Sequence, residues 1–137
     1  MALFVVDASV ALAWCFEDES SSVADTLLER LRQGDQVIVP AHWPTEILNG
    51  LLFAARRKRI APDQPRLLWD ELGSLPIEAE PALTSVKAQA VLALGEKYGL
   101  TMYDAAYLEL AQRRQLSLAT LDTDLRKAAQ QEGVILL

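Results

Sequence analysis

The chain opens on a continuous apolar run, Leu3 to Val6, rich in β-branched and aromatic side chains. A short run without polar alternation predicts a strand covered on both faces, as in a parallel sheet. A helical pattern follows from Ala8 to Phe16, with Ser9 as a candidate N-cap. From Ser20 to Gln33 the apolar residues Val23, Leu27, Leu28 and Leu31 recur at helical spacing, and Gly34 supplies a stop. Val37 to Val39 predicts a second buried strand, ended by Pro40. The stretch from Trp43 to Arg59 predicts a helix in which Ile47, Leu48, Leu51, Leu52, Ala54 and Ala55 form one broad apolar stripe.

Pro62 to Leu72 predicts another helix, opened near a proline and closed by Gly73. Leu75 to Ala79 predicts a short strand, and Ala82 to Tyr98 a long helix stopped by Gly99. Thr101 to Arg114 predicts a helix, Leu116 to Ala119 a strand, Leu125 to Gln131 a helix and Val134 to Leu137 a last strand. Strands alternating with helices predict an α/β fold with a mostly parallel sheet. No repeat, low-complexity segment or linker breaks the pattern, so residues 1–137 are expected to form a single domain.

Charge narrows the functions that such a fold can carry. Nineteen acidic residues against 13 basic ones give a net charge of −6. That balance excludes a nucleic-acid binder working by bulk attraction; a nucleic-acid enzyme with this charge needs local cations, a basic partner or a metal ion. One cysteine, Cys15, rules out an intramolecular disulfide and suits a reducing compartment. The apolar start lacks a basic n-region and is interrupted by Asp7, and no apolar stretch approaches the roughly 18 residues of a membrane span. A cytoplasmic protein with no membrane association is expected.

The acids fall at informative places. Asp7 follows the first strand and Asp122 the strand ending near Ala119, while Glu46 and Asp104 lie in early turns of their helices. Open parallel sheets form their sites beyond the carboxyl ends of the strands, so all four can meet on one rim. Each also has an ordinary explanation. Asp7 or Ser9 can cap a helix, Thr101 and Asp104 have capping-box spacing, Glu46 answers a helix dipole, and Asp122 or Asp124 can cap the last helix. Taken together, four acids on one rim repel one another and raise each other's pKa. A divalent cation such as Mg2+ or Mn2+ resolves that conflict, because hard cations take oxygen ligands and keep waters for chemistry. A bound ion of this kind can activate water and offset charge on a phosphate. Asn49 lies one turn after Glu46 on the same helix face. The single histidine, His42, has no companion His or Cys and is expected to be structural or on the surface.

Four segments together resemble the motifs of PIN-domain ribonucleases, in particular the VapC-type toxins of bacterial and archaeal toxin–antitoxin pairs. They are Val5-Val6-Asp7-Ala8-Ser9, Pro44-Thr45-Glu46-Ile47-Leu48-Asn49, Leu100-Thr101-Met102-Tyr103-Asp104-Ala105-Ala106-Tyr107 and Leu118-Ala119-Thr120-Leu121-Asp122-Thr123-Asp124-Leu125. In order and spacing the motifs span almost the whole chain; the segment from Pro62 to Pro81 shows no motif and lends no support. It implies a three-layer α/β/α sandwich and Mg2+- or Mn2+-dependent endoribonuclease activity, the toxin's part in a type II pair. Asp7, Glu46, Asp104 and Asp122 carry over as the metal-binding, catalytic acids. Ser9, Thr120 and Asp124 match polar positions around them, Asp124 also being placed to cap the next helix. An RNA substrate, a cognate antitoxin and a homodimer are implied as partners, and an acidic toxin suits an antitoxin tail bearing Arg or Lys.

The remaining features are read more plainly. Arg56 to Arg59 form the one dense basic run, at a helix end where cations meet the dipole; the alternative is a phosphate-steering patch, roughly 15 Å or more from Glu46. Trp14, Phe16, Trp43, Phe53 and Trp69 are expected in the core, or lining a groove for a partner. Competing functions fit less well. A signalling receiver domain needs paired acids after the first strand, a phosphoacceptor Asp after a middle strand and a Lys directly following a late strand, none of which is present. A phosphatase with an Asp nucleophile needs a second Asp that Asp7-Ala8-Ser9 lacks. A non-catalytic PIN-like binding module is the remaining alternative.

Overall fold

Both faces of the first strand must be covered, and the chain achieves this by crossing the sheet in two directions. The computed structural model describes residues 1–19 and 21–137. Strands β1 (Leu3–Val6), β2 (Gln36–Val39), β3 (Ile77–Ala79) and β4 (Leu118–Ala119) form an all-parallel sheet of order β3-β2-β1-β4. Val5 stands opposite Ile38 on one side and Leu118 on the other. Apart from the exposed Gln36 that opens β2, the inner strands are apolar because neither face meets water; the edge strand β3 carries the exposed Glu78.

Helices α1 (Ala8–Cys15), α2 (Ser22–Arg32), α3 (Trp43–Arg56) and α4 (Gln64–Gly73) pack against one another, as do α5 (Ser85–Tyr98), α6 (Met102–Arg114) and α7 (Thr123–Gln131). Right-handed crossovers put the two groups on opposite faces, since the path from β1 to β3 runs one way across the sheet and the return to β4 runs the other. The expected three-layer α/β/α sandwich is the observed one. Helix α6 is buried from Ala105 to Ala111 because it lies on β1 and β4 beneath α5. Its alanines allow the close approach, and Gly95 of α5 extends it: a Cβ there would meet Met102 Cε at 2.1 Å.

Several boundaries differ from the expected ones for local reasons. Ser20 lies outside the described residues; the helix it was expected to open begins at Ser22, capped by the Ser21 hydroxyl, which accepts from Ala24 N–H at 3.3 Å. Helix α3 stops at Arg56 rather than Arg59 because Lys58 turns left-handed, at φ 61°. Helix α5 starts at Ser85 rather than Ala82 because Thr84 is its side-chain cap. The last expected strand, Val134 to Leu137, is reduced to one parallel bridge between Leu118 and Leu136. Strand β4 offers only two ladder residues before Thr120 leaves the sheet, so a longer partner has nothing to pair with.

The stripe on α3 is narrower than the sequence suggests. Ile47, Leu51 and Ala54 are buried, whereas Leu48 and Leu52 are 45% and 43% exposed. Leu51→Ala should therefore cost about 2–5 kcal/mol in urea unfolding. Leu48→Ala should stay within about 0.5 kcal/mol. Equal costs for the two variants would contradict this placement of α3.

Candidate active site

The sheet changes direction between β1 and β4, and the crevice beyond their carboxyl ends holds Asp7. Its backbone N–H donates to Ala119 O at 3.1 Å, extending the β1–β4 ladder by one bond. Its side chain is the N-cap of α1, so of the two candidates, Asp7 and Ser9, Asp7 takes the position. An N-cap oxygen must reach the N–H three residues on, and Asp7 Oδ1 accepts from Val10 N–H at 3.2 Å. Ser9 Oγ donates to the same oxygen at 2.6 Å, and Thr120 Oγ1 donates to Oδ2. Both hydroxyls also accept: Ser9 Oγ from Leu121 N–H and Thr120 Oγ1 from Asp122 N–H, each at 3.0 Å. Two hydroxyls thus lock the buried carboxylate, only 3% exposed, to the loop between β4 and α7.

The other acids stand at the starts of three more helices. Asp104 is in the first turn of α6, where Thr101 Oγ1 accepts from its N–H at 3.1 Å. Asp122 caps α7, accepting from Leu125 N–H at 2.8 Å. Glu46 lies in the first turn of α3, and its Oε1 accepts from the Tyr107 hydroxyl at 2.7 Å. Among the described residues, Asn49 and Asp124 are exposed and make no side-chain hydrogen bond to these acids. Asp124 is in the first turn of α7, with Asp122 as the cap.

His42, expected to be structural or on the surface, packs beside Glu46. Its Nε2 lies 2.9 Å from Glu46 Oε1, though without hydrogen-bond alignment. Its ring packs at 5.4 Å from Tyr103 and 5.1 Å, edge on, from Tyr107. The spacing of four residues to Glu46 was the available sign; the lack of a second histidine obscured it. Tyr107 was missed too, although it follows Asp104 by three residues on one helix face. A further cation, Arg126, donates from Nη1 to Thr120 O at 3.1 Å.

Electrostatics show that the acids sense one another. Burial pushes the Asp7 carboxyl up from 3.8 to about 6 against its three hydrogen bonds, with Asp104 adding repulsion. Asp104 is raised first by burial, then by the charges of Asp122 and Glu46. Burial, then the charge and hydrogen bond of Glu46, hold the Tyr107 hydroxyl protonated well above its ordinary range. Among the described residues, Asp7, Asp104 and Asp122 have no ion-pair partner. Nor do three His, Cys, Asp or Glu side chains among these residues close into a ready-made metal cage. The donor chemistry nevertheless fits a hard divalent cation: carboxylate oxygens, mutually repelling, with the most buried one unpaired.

A cavity of about 470 Å³ begins beside this rim at Ser9 and Leu121 and runs between α1 and α3. Its walls include Leu12, Phe53 and Arg57, and it passes Gly50, where a Cβ would meet Leu12 Cδ1 at 2.8 Å. Phe53 is 42% exposed, with the Arg56 and Arg57 guanidinium groups 5.7 and 5.9 Å from its ring. Arg59, by contrast, is committed to Asp18 at 2.8 Å and covers Phe16.

Comparison with known proteins gives concordant results. The PIN domain profile matches residues 4–131. The chain is 30% identical over 121 residues to Ribonuclease VapC3 of Pyrobaculum aerophilum, covering 88% of this chain and 90% of the relative. The crystal structure of PAE2754 from Pyrobaculum aerophilum superposes with a TM-score of 0.71 at 24% identity, covering 98% of this chain and 83% of the other. A VapBC2 structure from Rickettsia felis, bound to a DNA fragment of the promoter, gives 0.68 at 14% identity, covering 98% and 97%. At these identities the two structures speak for the fold.

The raised Asp7 pKa carries a stability prediction for the metal-free protein. A carboxyl with a folded pKa near 6 and an unfolded one near 3.8 favours folding when protonated. Its contribution is full below the unfolded value and is lost as pH rises through the folded one. In EDTA, stability attributable to Asp7 should fall by about 2–3 kcal/mol between roughly pH 4 and 7. Asp7→Asn should remove that slope, leaving the variant more stable than wild type at neutral pH. Urea unfolding at several pH values tests this, and parallel profiles for the two proteins would contradict it.

Proposed function

The chain belongs to the PIN-domain family, and on that premise we propose that it is a VapC-type endoribonuclease, the toxin of a type II toxin–antitoxin pair. Its RNA-cleaving site consists of Asp7, Glu46, Asp104 and Asp122 with Mg2+ or Mn2+. The observation that carries this reading is the buried, unpaired Asp7 with Asp104 adding repulsion to it, Asp104 in turn sensing the charges of Asp122 and Glu46. A divalent ion bound there would supply a water of lowered pKa and offset charge on the attacked phosphate.

The chain's own residues supply the order that such chemistry needs. Ser9, Val10 and Thr120 hold both oxygens of Asp7 in place, so this carboxylate cannot swing away. Asp104 and Asp122 are held at helix N-termini by backbone geometry. Positive dipole ends there partly offset charge that the net −6 of the chain would otherwise aggravate. RNA would then have to be drawn in by local cations, and Arg126, bonded to Thr120 O, and Arg57, lining the groove, are the nearby ones this reading assigns to its phosphates.

The groove beside the site supports a protein partner as well. Its apolar wall at Leu12 and Phe53, next to an acidic rim, suits an antitoxin segment with apolar anchors and a basic residue. A homodimer belongs to the same reading; Leu83, Val86 and Leu92 around α5 leave apolar surface for it. Action on RNA in the cytoplasm belongs to the same proposal; separately, no helix among the described residues is long and apolar enough to cross a membrane.

Purified protein should cleave total RNA with Mg2+ or Mn2+ and lose that activity in EDTA. Asp7→Asn and Asp104→Asn should lower the rate by roughly 10–100-fold or more. Cleavage persisting in EDTA, or equal rates for wild type and Asp7→Asn, would overturn the mechanism; no cleavage at all would favour a binding module. The product of the neighbouring gene should form a complex that Phe53→Asp weakens at least about tenfold, as expected of a buried aromatic anchor. Failure of the wild-type protein to bind that product would remove the antitoxin pairing.

A further inference from the structure

The Tyr107 hydroxyl is the aligned donor to Glu46 among the described residues, and it joins two helices that otherwise approach the rim separately. Tyr107 is fully buried on α6 and donates to Oε1 at 2.7 Å across 61 positions of sequence. His42 Nε2 stands 2.9 Å from the same oxygen but is not aligned to donate. Glu46 needs such a restraint more than Asp7 does. Its side chain is longer, is 30% exposed, and without a fixed partner would sample several rotamers. The Tyr107 ring cannot easily move, because the α6 residues on either side of it are buried and His42 packs against its edge.

We propose that Tyr107 is a positioning residue for this site: its hydroxyl commits one oxygen of Glu46 to the protein, leaves the other free, and so sets the cluster's affinity for a divalent ion. The inference rests on the reading of Glu46 as a metal ligand. It parallels the treatment of Asp7, whose oxygens are held by the Ser9 and Thr120 hydroxyls. Groups hydrogen-bonded to ligands orient them, and their loss typically lowers metal affinity by 10–100-fold.

The test is Mn2+ binding to the full chain without RNA, followed by calorimetry or by the Mn2+ spin-resonance signal. Tyr107→Phe keeps the ring and removes only the hydroxyl. It should weaken Mn2+ binding by about 10–100-fold while the metal-free Tm stays within a few degrees of wild type. Tyr103→Phe, at an exposed ring, should leave the affinity unchanged. In a Glu46→Gln background, Tyr107→Phe should cost nothing further, because the hydroxyl acts through Glu46. Equal losses in both backgrounds would mark a general structural role and overturn the proposal. Wild-type affinity in Tyr107→Phe would also overturn it, and if Asp104→Asn still lost the ion the metal reading would stand. No Mn2+ uptake by the wild-type protein would overturn both.

Discussion

A carboxylate buried at the point where two parallel strands part company governs the arrangement around it. Asp7 is almost inaccessible and has no cationic partner among the described residues, so its charge is opposed by desolvation. Three hydrogen bonds, from Ser9, Val10 and Thr120, moderate that cost without removing it. They also dictate structure. Thr120 must leave β4 after two residues to reach Asp7, which is why the strand is short and the C-terminal tail forms only one bridge. The same bonds fix the start of α7 through Asp122 N–H.

On the proposed function, the acids on this rim serve two ends at once. Asp7 and Asp122 are helix caps, while Glu46 and Asp104 lie in first turns. Capping and site chemistry are compatible because both demand a carboxylate at a helix N-terminus. Four such termini bring partial positive charge to the place where negative charge accumulates. Burial, with repulsion among the acids behind it, still raises the Asp7 and Asp104 carboxyls. On the proposed function, a divalent ion held by hard oxygens would supply positive charge there without new side chains.

Most of the fold was legible in the sequence because parallel strands, buried on both faces, read as short apolar runs between helical periods. The acids were legible because strand ends and helix starts are recognisable positions. Features that depend on tertiary contact were not. The two exposed leucines on α3 share helical spacing with buried ones, and only the neighbouring elements decide which side is covered. His42 lacks the companion residues that mark a histidine site, and its role arises from packing between Tyr103 and Tyr107. Tyr107 reads as core, which it is; that its hydroxyl reaches a carboxylate 61 positions away is visible only in three dimensions. Ser9 and Thr120 entered through motif resemblance, and the structure supplies their physical work as hydroxyls that both donate and accept.

The most direct measurement of the central claim is anomalous diffraction from crystals of the protein grown with Mn2+. A manganese peak bounded by Asp7, Glu46, Asp104 and Asp122 is the predicted result, with the Ser9 and Thr120 hydroxyls still on Asp7. A rim free of manganese, with the carboxylates ordered as they are in this structure, would contradict the claim that these acids form a metal centre.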